Sequence, residues 1–394
     1  MTDVYLNQVG LLCALGNDRE TVRQRLLAGD RSGLQLSDQW HPEHPSPVGQ
    51  VHATLPDIPT ALARFACRNN QLLMAALDQL RPQWDGLTQS IPPSRIGIVL
   101  GTSTSGVDNG EQAMKAWRTQ QAAPDSYHYQ QQELGNGADF LARLLGVAGP
   151  ALTLSTACSS SGRALATARS LIRKGVCDVV IAGGADSLCG LTLQGFSSLG
   201  AVSPTPCNPF SANRDGINIG EGAALFLLSA TPGPVRLSGV GASSDAHHIS
   251  GPDPHGRGAV AAMAAALHDA GLAPDDIDYL NLHGTATSQN DIMEARAVHE
   301  LFAGQVPCSA TKALTGHCLG AAAALEAALC WLSLTADQPA WPPHCYDGQR
   351  DPALPPINLL DGSQPAPATA PRRCQSNAFA FGGNNLSLIL ETCP

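Results

Sequence analysis

Two stretches of this chain repeat one plan, and that repetition limits the folds open to it. RIGIVLGTSTSGVDNGEQAMKA begins at Arg95 and DIDYLNLHGTATSQNDIMEARAV begins at Asp276. Each reads as a short apolar strand, a GT-[SA]-TS turn and a polar helical stretch, and each follows a helix candidate, Arg68–Leu80 or Ala259–Ala270. A second pair follows in the same order. ALTLSTACSSSGRALATARSLI from Ala151 and VPCSATKALTGHCLGAAAALEAALCWLSL from Val306 both read as a strand, a tight turn and an Ala-rich helix. Gly101 and Gly284 lie 183 positions apart, whereas Cys158 and Lys312 lie 154 apart. The first half therefore carries about 29 extra residues, within Val107–Pro150. An internally duplicated β/α unit is expected, joined near Ala230–Val235, with halves at residues 1–231 and 232–394.

Strand candidates such as Val179–Ile181 and Leu225–Leu228 are unbroken apolar runs. Such strands are buried on both faces, and intervening helices make the fold class α/β in layers. The Pro-, His- and Asp-rich stretches Ser37–Pro59 and Gln338–Pro371 are expected to be surface loops near a pocket mouth.

Charge narrows the function. With 23 Lys and Arg against 33 Asp and Glu, the formal charge is −10, and no basic run of five occurs. Nucleic-acid binding and attachment to an anionic membrane are excluded as starting points. No apolar stretch approaches a membrane span, and the first residues lack a basic region followed by an apolar one. Twelve scattered cysteines without a CxxC suit a reduced, cytoplasmic location better than a disulfide scaffold.

Among those twelve, Cys158 stands apart because it lies between an apolar strand and an Ala/Leu-rich helix, in LSTACSSSG. Free N–H groups at a helix N-terminus favour a thiolate, and the cysteine's own N–H is placed to stabilise an oxyanion. His283 follows the apolar run Tyr279–Leu282, at the strand end where α/β enzymes place reactive groups. His317, in KALTGHCLG, again lies between a strand and an Ala-rich helix. The duplication makes the strand end bearing Lys312 the counterpart of the one bearing Cys158, which sets a nucleophile and a basic cluster across a pseudo-two-fold axis. Glu326 interrupts an apolar helix, Gly320–Leu332, so it either takes Lys312 or His317 as partner or faces solvent. His247, His248, His255, His268 and His299 read as structural or solvent-facing. No HxxxH, HExxH or CxxC is present, and the only HxxH, His41–His44, has no second ligand pair, so no metal site is expected. No phosphate-binding glycine loop is present either. Near the end, NAFAFGGNN from Asn377 sets two glycines beside aromatic residues, which lets backbone N–H groups approach a substrate.

TACSSS, LHGTATSQND, SATKALTGHCLGAAAALEA and SNAFAFGGNN, with NPFSANRDGINIGEGAALFLLS from Asn208, occur in the order and spacing of the β-ketoacyl-acyl-carrier-protein synthases. The resemblance spans about Arg95 to Leu390. It implies the thiolase-type fold, a duplicated five-layered α/β/α/β/α body, and the Cys-His-His triad of the elongating class. The priming class carries Asn where His317 stands, and thiolases use a second catalytic cysteine that the C-terminal block here does not offer.

The resemblance also implies roles. Cys158 accepts an acyl chain from a carrier thioester, and the N–H groups of Cys158 and Phe381 form the oxyanion hole. His283 and His317, neutral and near their ordinary pKa, donate hydrogen bonds to the malonyl thioester oxygen, while Lys312 paired with Glu326 keeps their orientation. Phe379 and Phe381 flank the acyl pocket, with Phe381 as its gate. No cofactor is implied, because the substrates ride on the phosphopantetheine arm of an acyl carrier protein. Arg64 and Arg68 match positions where the family places basic residues for docking that acidic carrier.

Two departures matter. The common GFGGTN reads Ala380-Phe-Gly-Gly-Asn384-Asn385 here, and Ala380 restricts the backbone freedom that gating uses. The arm Gln120–Gly137, with Tyr127, Tyr129 and QQELG, together with GTSTSG, resembles the ketosynthases of bacterial aryl-polyene pathways. That branch often pairs a ketosynthase with a chain-length-factor homologue lacking the cysteine, so a homodimer or such a heterodimer is expected. The competing readings are a thiolase-like acyltransferase and a non-catalytic chain-length-factor-type subunit.

Overall fold

The computed structural model describes residues 2–337, 340–362 and 371–393. The first half runs β1 (Tyr5–Leu12), α1 (Arg19–Leu27), β2 (Leu34–Ser37), β3 (Ser46–Gly49), α2 (Arg68–Asp78), α3 (Arg81–Thr88) and β4 (Ile96–Gly101). It continues through α4 (Val107–Gln120), α5 (Asn136–Leu145), β5 (Ala151–Leu154), α6 (Ser160–Arg173), β6 (Val179–Asp186), α7 (Gly190–Ser198) and β7 (Gly222–Ser229). The second half runs β8 (Val235–Ser244), α8 (Arg257–Ala270), β9 (Tyr279–Asn281), α9 (Ser288–Phe302), β10 (Pro307–Ser309) and α10 (Lys312–Thr315). It ends with α11 (Ala322–Leu334), β11 (Asn358–Leu359), β12 (Arg373–Ala380) and β13 (Asn384–Thr392).

The duplication is present in the strand order. The first half pairs as β5-β4-β6-β7-β1 and the second as β10-β9-β12-β13-β8, with β11 added outside β10. Pairings match as well: β4 lies parallel to β5 and β6 as β9 lies parallel to β10 and β12, and the inner pairs are antiparallel in both. β1 and β8 join the two sheets through two residue pairs, Tyr5–Arg236 and Leu6–Val235. The two sequence repeats thus occupy equivalent strands, β4 with β9 and β5 with β10.

Burial explains the apolar runs. Every residue of β4, β6 and β7 is buried, because helices cover both faces. α2 and α5 cover the outer face of the first sheet, where Phe65, Leu72, Leu77, Phe140 and Leu141 pack on Ile98 and Leu225. α8 and α9 cover the second sheet around Met263, Leu280 and Val298. Between the sheets lie α6 and α11, completing five layers. All thirteen residues of α11 are buried, as its all-round apolar sequence requires of a central helix. Among the described residues no helix is long and apolar enough to cross a membrane.

The two stretches read as surface loops behave differently. β2 and β3 form a hairpin within the first, and Ser46–Gly49 is buried throughout. Gly49 N–H donates to the Ile219 carbonyl at 2.9 Å and the Glu221 N–H to the Gly49 carbonyl at 2.8 Å. The second lies partly outside the described residues, yet His344 within it is buried, accepting from the Ala310 N–H at 3.2 Å and bonding the Pro209 carbonyl. No described residue of either stretch lines the cavity that opens onto Cys158. Much of both stretches is exposed, as expected, and the exceptions are buried where distant backbone groups satisfy them. The five histidines read as structural or solvent-facing are all exposed.

Candidate active site

A strained elbow presents Cys158. β5 ends at Leu154 and α6 starts at Ser160, so the chain reverses over five residues, with Ala157 at φ +52°. That value is unusual for a residue with a Cβ and marks a turn fixed by its surroundings. Ser160 fixes it: its hydroxyl accepts from the Thr156 N–H at 2.8 Å and donates to the Ala157 carbonyl at 2.5 Å. Close packing does the rest. A Cβ on Gly101, in the GT turn after β4, would lie 2.2 Å from the Ser161 nitrogen, so only glycine lets α6 come this near.

His283 follows β9 by two residues. Its own N–H and that of Gly284 each donate to the buried Glu294 carboxylate at 2.7 Å. His317 sits between α10 and α11, its N–H bonded to the Asn218 carbonyl at 2.7 Å. The matching turn of the first half is held the same way. Asp186, fully buried at the end of β6, accepts from the Ser103 and Thr104 N–H groups and from both Thr102 and Thr104 hydroxyls. It also accepts from the Gly320 N–H at 2.6 Å, tying that turn to the segment after His317.

These turns bring Cys158, His283 and His317 together. His317 Nε2 lies 3.0 Å from Cys158 Sγ, and donor atoms of the three residues all fall within 4.8 Å of one another. The imidazoles meet edge to face, with centroids 5.5 Å apart. Lys312 Nζ sits 3.3 Å from His283 Nδ1 and also bonds the His283 carbonyl and the Glu326 carboxylate. Glu326 is therefore paired and buried, not solvent-facing. Because Lys312 donates to Nδ1 of His283, that ring carries its proton on Nε2. His317 Nδ1 is buried without a partner among the described residues. A bare acceptor is tolerated there better than an orphaned N–H, so this ring too directs Nε2–H into the site.

Electrostatics correct two expectations. Burial pushes the Cys158 thiol up to about 11, although Lys312 and the N–H groups of Phe381 and of Cys158 itself pull the other way. Desolvation thus outweighs the helix terminus and favours the thiol form of Cys158. Burial first, then the Lys312 charge, hold both histidines well below 6.5 instead of near it. Burial also lifts Glu326 to about 7, against the pull of Lys312. Both imidazoles consequently stay neutral through the range where an ordinary histidine charges. Activity is expected to hold as pH falls through 6.5, with the acid limb of kcat/KM well below it. A pH–rate profile checks this, and a half-maximal point near 6.5 contradicts it. The same three donors form the one converging group of metal-type ligands among the described residues. The cation at Lys312 and the proton on His283 Nε2 both oppose a metal ion there.

A cavity of about 370 Å³ opens onto Cys158, His283 and His317 and is lined by Phe196, Phe379, Ala380, Phe381, Thr285 and Thr287, among others. Phe379 is buried with its ring 6.3 Å from that of His283. Phe381 is 38% exposed at the mouth, packed 5.6 Å from Phe196. Ala380 pairs with Asn384 as ordinary strand, whereas Gly382 and Gly383 carry the positive φ of the turn, at 81° and 71°.

The two arginines assigned to docking part company. Arg64 is exposed over the Phe65 ring. Arg68 is committed inward: its guanidinium holds the fully buried Glu221 through Nε at 2.8 Å and Nη2 at 2.5 Å, and also the Val51 carbonyl. It neutralises a buried carboxylate while its side chain stays 32% exposed. Sequence reasoning missed Asp186, Glu221, Glu294 and Phe196. For Asp186 a signal existed, a carboxylate ending an otherwise apolar strand.

Family models described as the β-ketoacyl synthase N-terminal and C-terminal domains match residues 9–232 and 235–345. Nodulation protein E of Rhizobium leguminosarum bv. trifolii is 32% identical over 405 residues, covering 98% of each chain. The 3-oxoacyl-[acyl-carrier-protein] synthase 2 of Staphylococcus aureus (strain COL) is 30% identical over 315 residues, 75% of each chain. Among solved structures, the ketosynthase ApeO of Xenorhabdus doucetiae, in complex with its chain length factor ApeC, superposes with a TM-score of 0.96. It is 46% identical, over 100% of this chain and 98% of that one. A β-ketoacyl synthase from Burkholderia phymatum STM815 superposes at 0.88 with 27% identity, over the full length of both chains.

Proposed function

The chain belongs to the β-ketoacyl synthase family, and from that premise we propose that it is an elongating 3-oxoacyl-acyl-carrier-protein synthase. The observation that carries the reading is the convergence of Cys158 Sγ, His317 Nε2 and the lysine-braced His283 at one cavity. An acyl thioester on the phosphopantetheine arm of a carrier protein enters the cavity. Cys158 attacks its carbonyl, the Cys158 and Phe381 N–H groups hold the oxyanion, and the carrier leaves as a thiol bearing the cysteine's proton. A malonyl thioester follows, with its thioester oxygen at the Nε2–H groups of His283 and His317. Loss of CO₂ concentrates charge on that oxygen, so these bonds strengthen toward the transition state. The enolate carbon then attacks acyl-Cys158, expelling the thiolate and releasing a 3-ketoacyl thioester two carbons longer. No cofactor enters these steps.

The likeness to ApeO supports the aryl-polyene branch and a partner resembling a chain length factor. β5 ends the sheet with an unpaired edge and Leu152 40% exposed, while Met114 and Trp117 of α4 stand 55% and 54% exposed. A second chain would cover these groups. The cytoplasm, where carrier-bound acyl chains are built, is the proposed location. A non-catalytic subunit has no use for the intact cysteine and histidine pair, which weighs against that alternative. A thiolase-like acyltransferase would not release CO₂ from malonyl-carrier.

Intact-protein mass spectrometry with a panel of acyl- and polyenoyl-carrier substrates tests the reading. A Cys158-dependent adduct is expected, and the preferred acyl group names the pathway. No adduct from any substrate, even with a candidate partner present, refutes it.

A further inference from the structure

We propose that Arg163 and Asn384 clamp the two oxyanion N–H groups at a fixed separation, making both positioning residues for acyl transfer. The inference rests on the condensing reading above. It starts from the fact that the two N–H groups sit on different elements. The Cys158 N–H is carried by the elbow before α6, and the Phe381 N–H by the hairpin turn between β12 and β13. Two adjacent glycines at positive φ follow Phe381, and the turn is closed by the Gly383 N–H on the Ala380 carbonyl at 3.1 Å and held by the Asp245 N–H on the Gly383 carbonyl at 2.9 Å. An oxyanion hole works only while both donors stay aimed at one point.

None of these bonds ties the turn to the nucleophile, and that tie comes from α6. Arg163, five residues after the nucleophile, donates to the Asn384 side-chain carbonyl through Nη2 at 2.7 Å and Nε at 3.1 Å. Its Nη2 also reaches the Asn385 carbonyl at 3.3 Å. The Ser159 hydroxyl, next to the nucleophile, stands 3.2 Å from the same Asn384 oxygen. One amide oxygen therefore joins the nucleophile helix to the residue that closes the Phe381 turn, directly opposite Ala380 in the ladder. Arg163 makes no ion pair among the described residues, and burial pulls its pKa down. A partly buried guanidinium held by neutral acceptors alone is an unfavourable use of charge unless its rigid fork is what the site requires. Threonine, the residue in the common form of this turn, is too short to receive that fork.

The test separates oxyanion geometry from general damage by using two reactions of one sulfur. Transfer from an acyl-carrier thioester passes through an oxyanion, and alkylation by iodoacetamide does not. Asn384→Thr and Arg163→Gln are each expected to slow single-turnover acylation of Cys158 roughly tenfold, less than loss of a whole oxyanion donor. Alkylation should stay within about twofold, and the double variant should be no slower than either single one, because both break the same link. Thermal unfolding checks that each variant is folded, and Asn384→Thr carries the test if Arg163→Gln is not. Unchanged acylation, acylation and alkylation falling together, or additive losses would overturn the clamp. Failure of the unaltered protein to acylate with its partner present would instead bring down the condensing reading, and the clamp with it.

Discussion

Cys158→Ala is expected to remove the acyl adduct and to cut condensation by at least about 10³-fold, yet to leave CO₂ release from malonyl-carrier measurable. Loss of a covalent nucleophile in comparable hydrolases costs up to about 10⁶ in kcat. The asymmetry between the two half-reactions follows from the geometry. In the proposed mechanism decarboxylation draws on the Nε2–H groups of His283 and His317, and the sulfur touches only one of these rings: Lys312 braces His283, while the backbone after α10 carries His317. The thiol contributes only its contact at 3.0 Å with His317. No other cysteine is placed to substitute. Of the remaining eleven, only Cys345 and Cys393 escape full burial, and neither lines the cavity. Intact mass after acyl-carrier exposure, with CO₂ release followed in parallel, reads both halves. An adduct that survives the substitution, or decarboxylation that vanishes with the sulfur, would contradict this division of labour.

The residues legible in the sequence share a cause. Cys158, His283 and Lys312 each lie where an apolar strand ends beside a turn, and the repeat made the strand ends of Cys158 and Lys312 counterparts. Glu326 was legible as a carboxylate interrupting an apolar helix, with its pairing left open. What the sequence hid was pairing across distance. Glu294 and Asp186 serve mainly as acceptors for backbone N–H groups, and a backbone N–H leaves no mark in a sequence. The Arg68 ion pair left no local mark because Glu221, its partner, lies 153 positions away. The protonation of Cys158 was misjudged for a related reason. A helix N-terminus is a local feature, while the desolvation that overrides it comes from five layers closing over the site.

Lys312→Met is expected to cost both stability and chemistry, and the two losses can be separated. Lys312 and Glu326 are 2% and 3% exposed, so removing one partner leaves an uncompensated buried group and should cost about 3–5 kcal/mol, read from chemical denaturation. The second loss is specific to His283. Without the donor at Nδ1 the ring is free to carry its proton there, and Nε2 then meets the developing enolate as a lone pair. CO₂ release should fall more than Cys158 acylation, because acylation depends on the two N–H groups of the oxyanion hole. Removing the Lys312 charge also relieves one of the two leading causes of the low histidine pKa, so the acid limb of the pH–rate profile should move upward. Lys312→Met combined with Glu326→Leu restores apolar packing and should recover most of the stability, since well-packed apolar replacements of buried ion pairs are often neutral or better. It supplies no donor for His283 Nδ1, so decarboxylation should stay low. A double variant that regained both would mean the pair serves packing alone, and another group would then have to set the tautomer of His283.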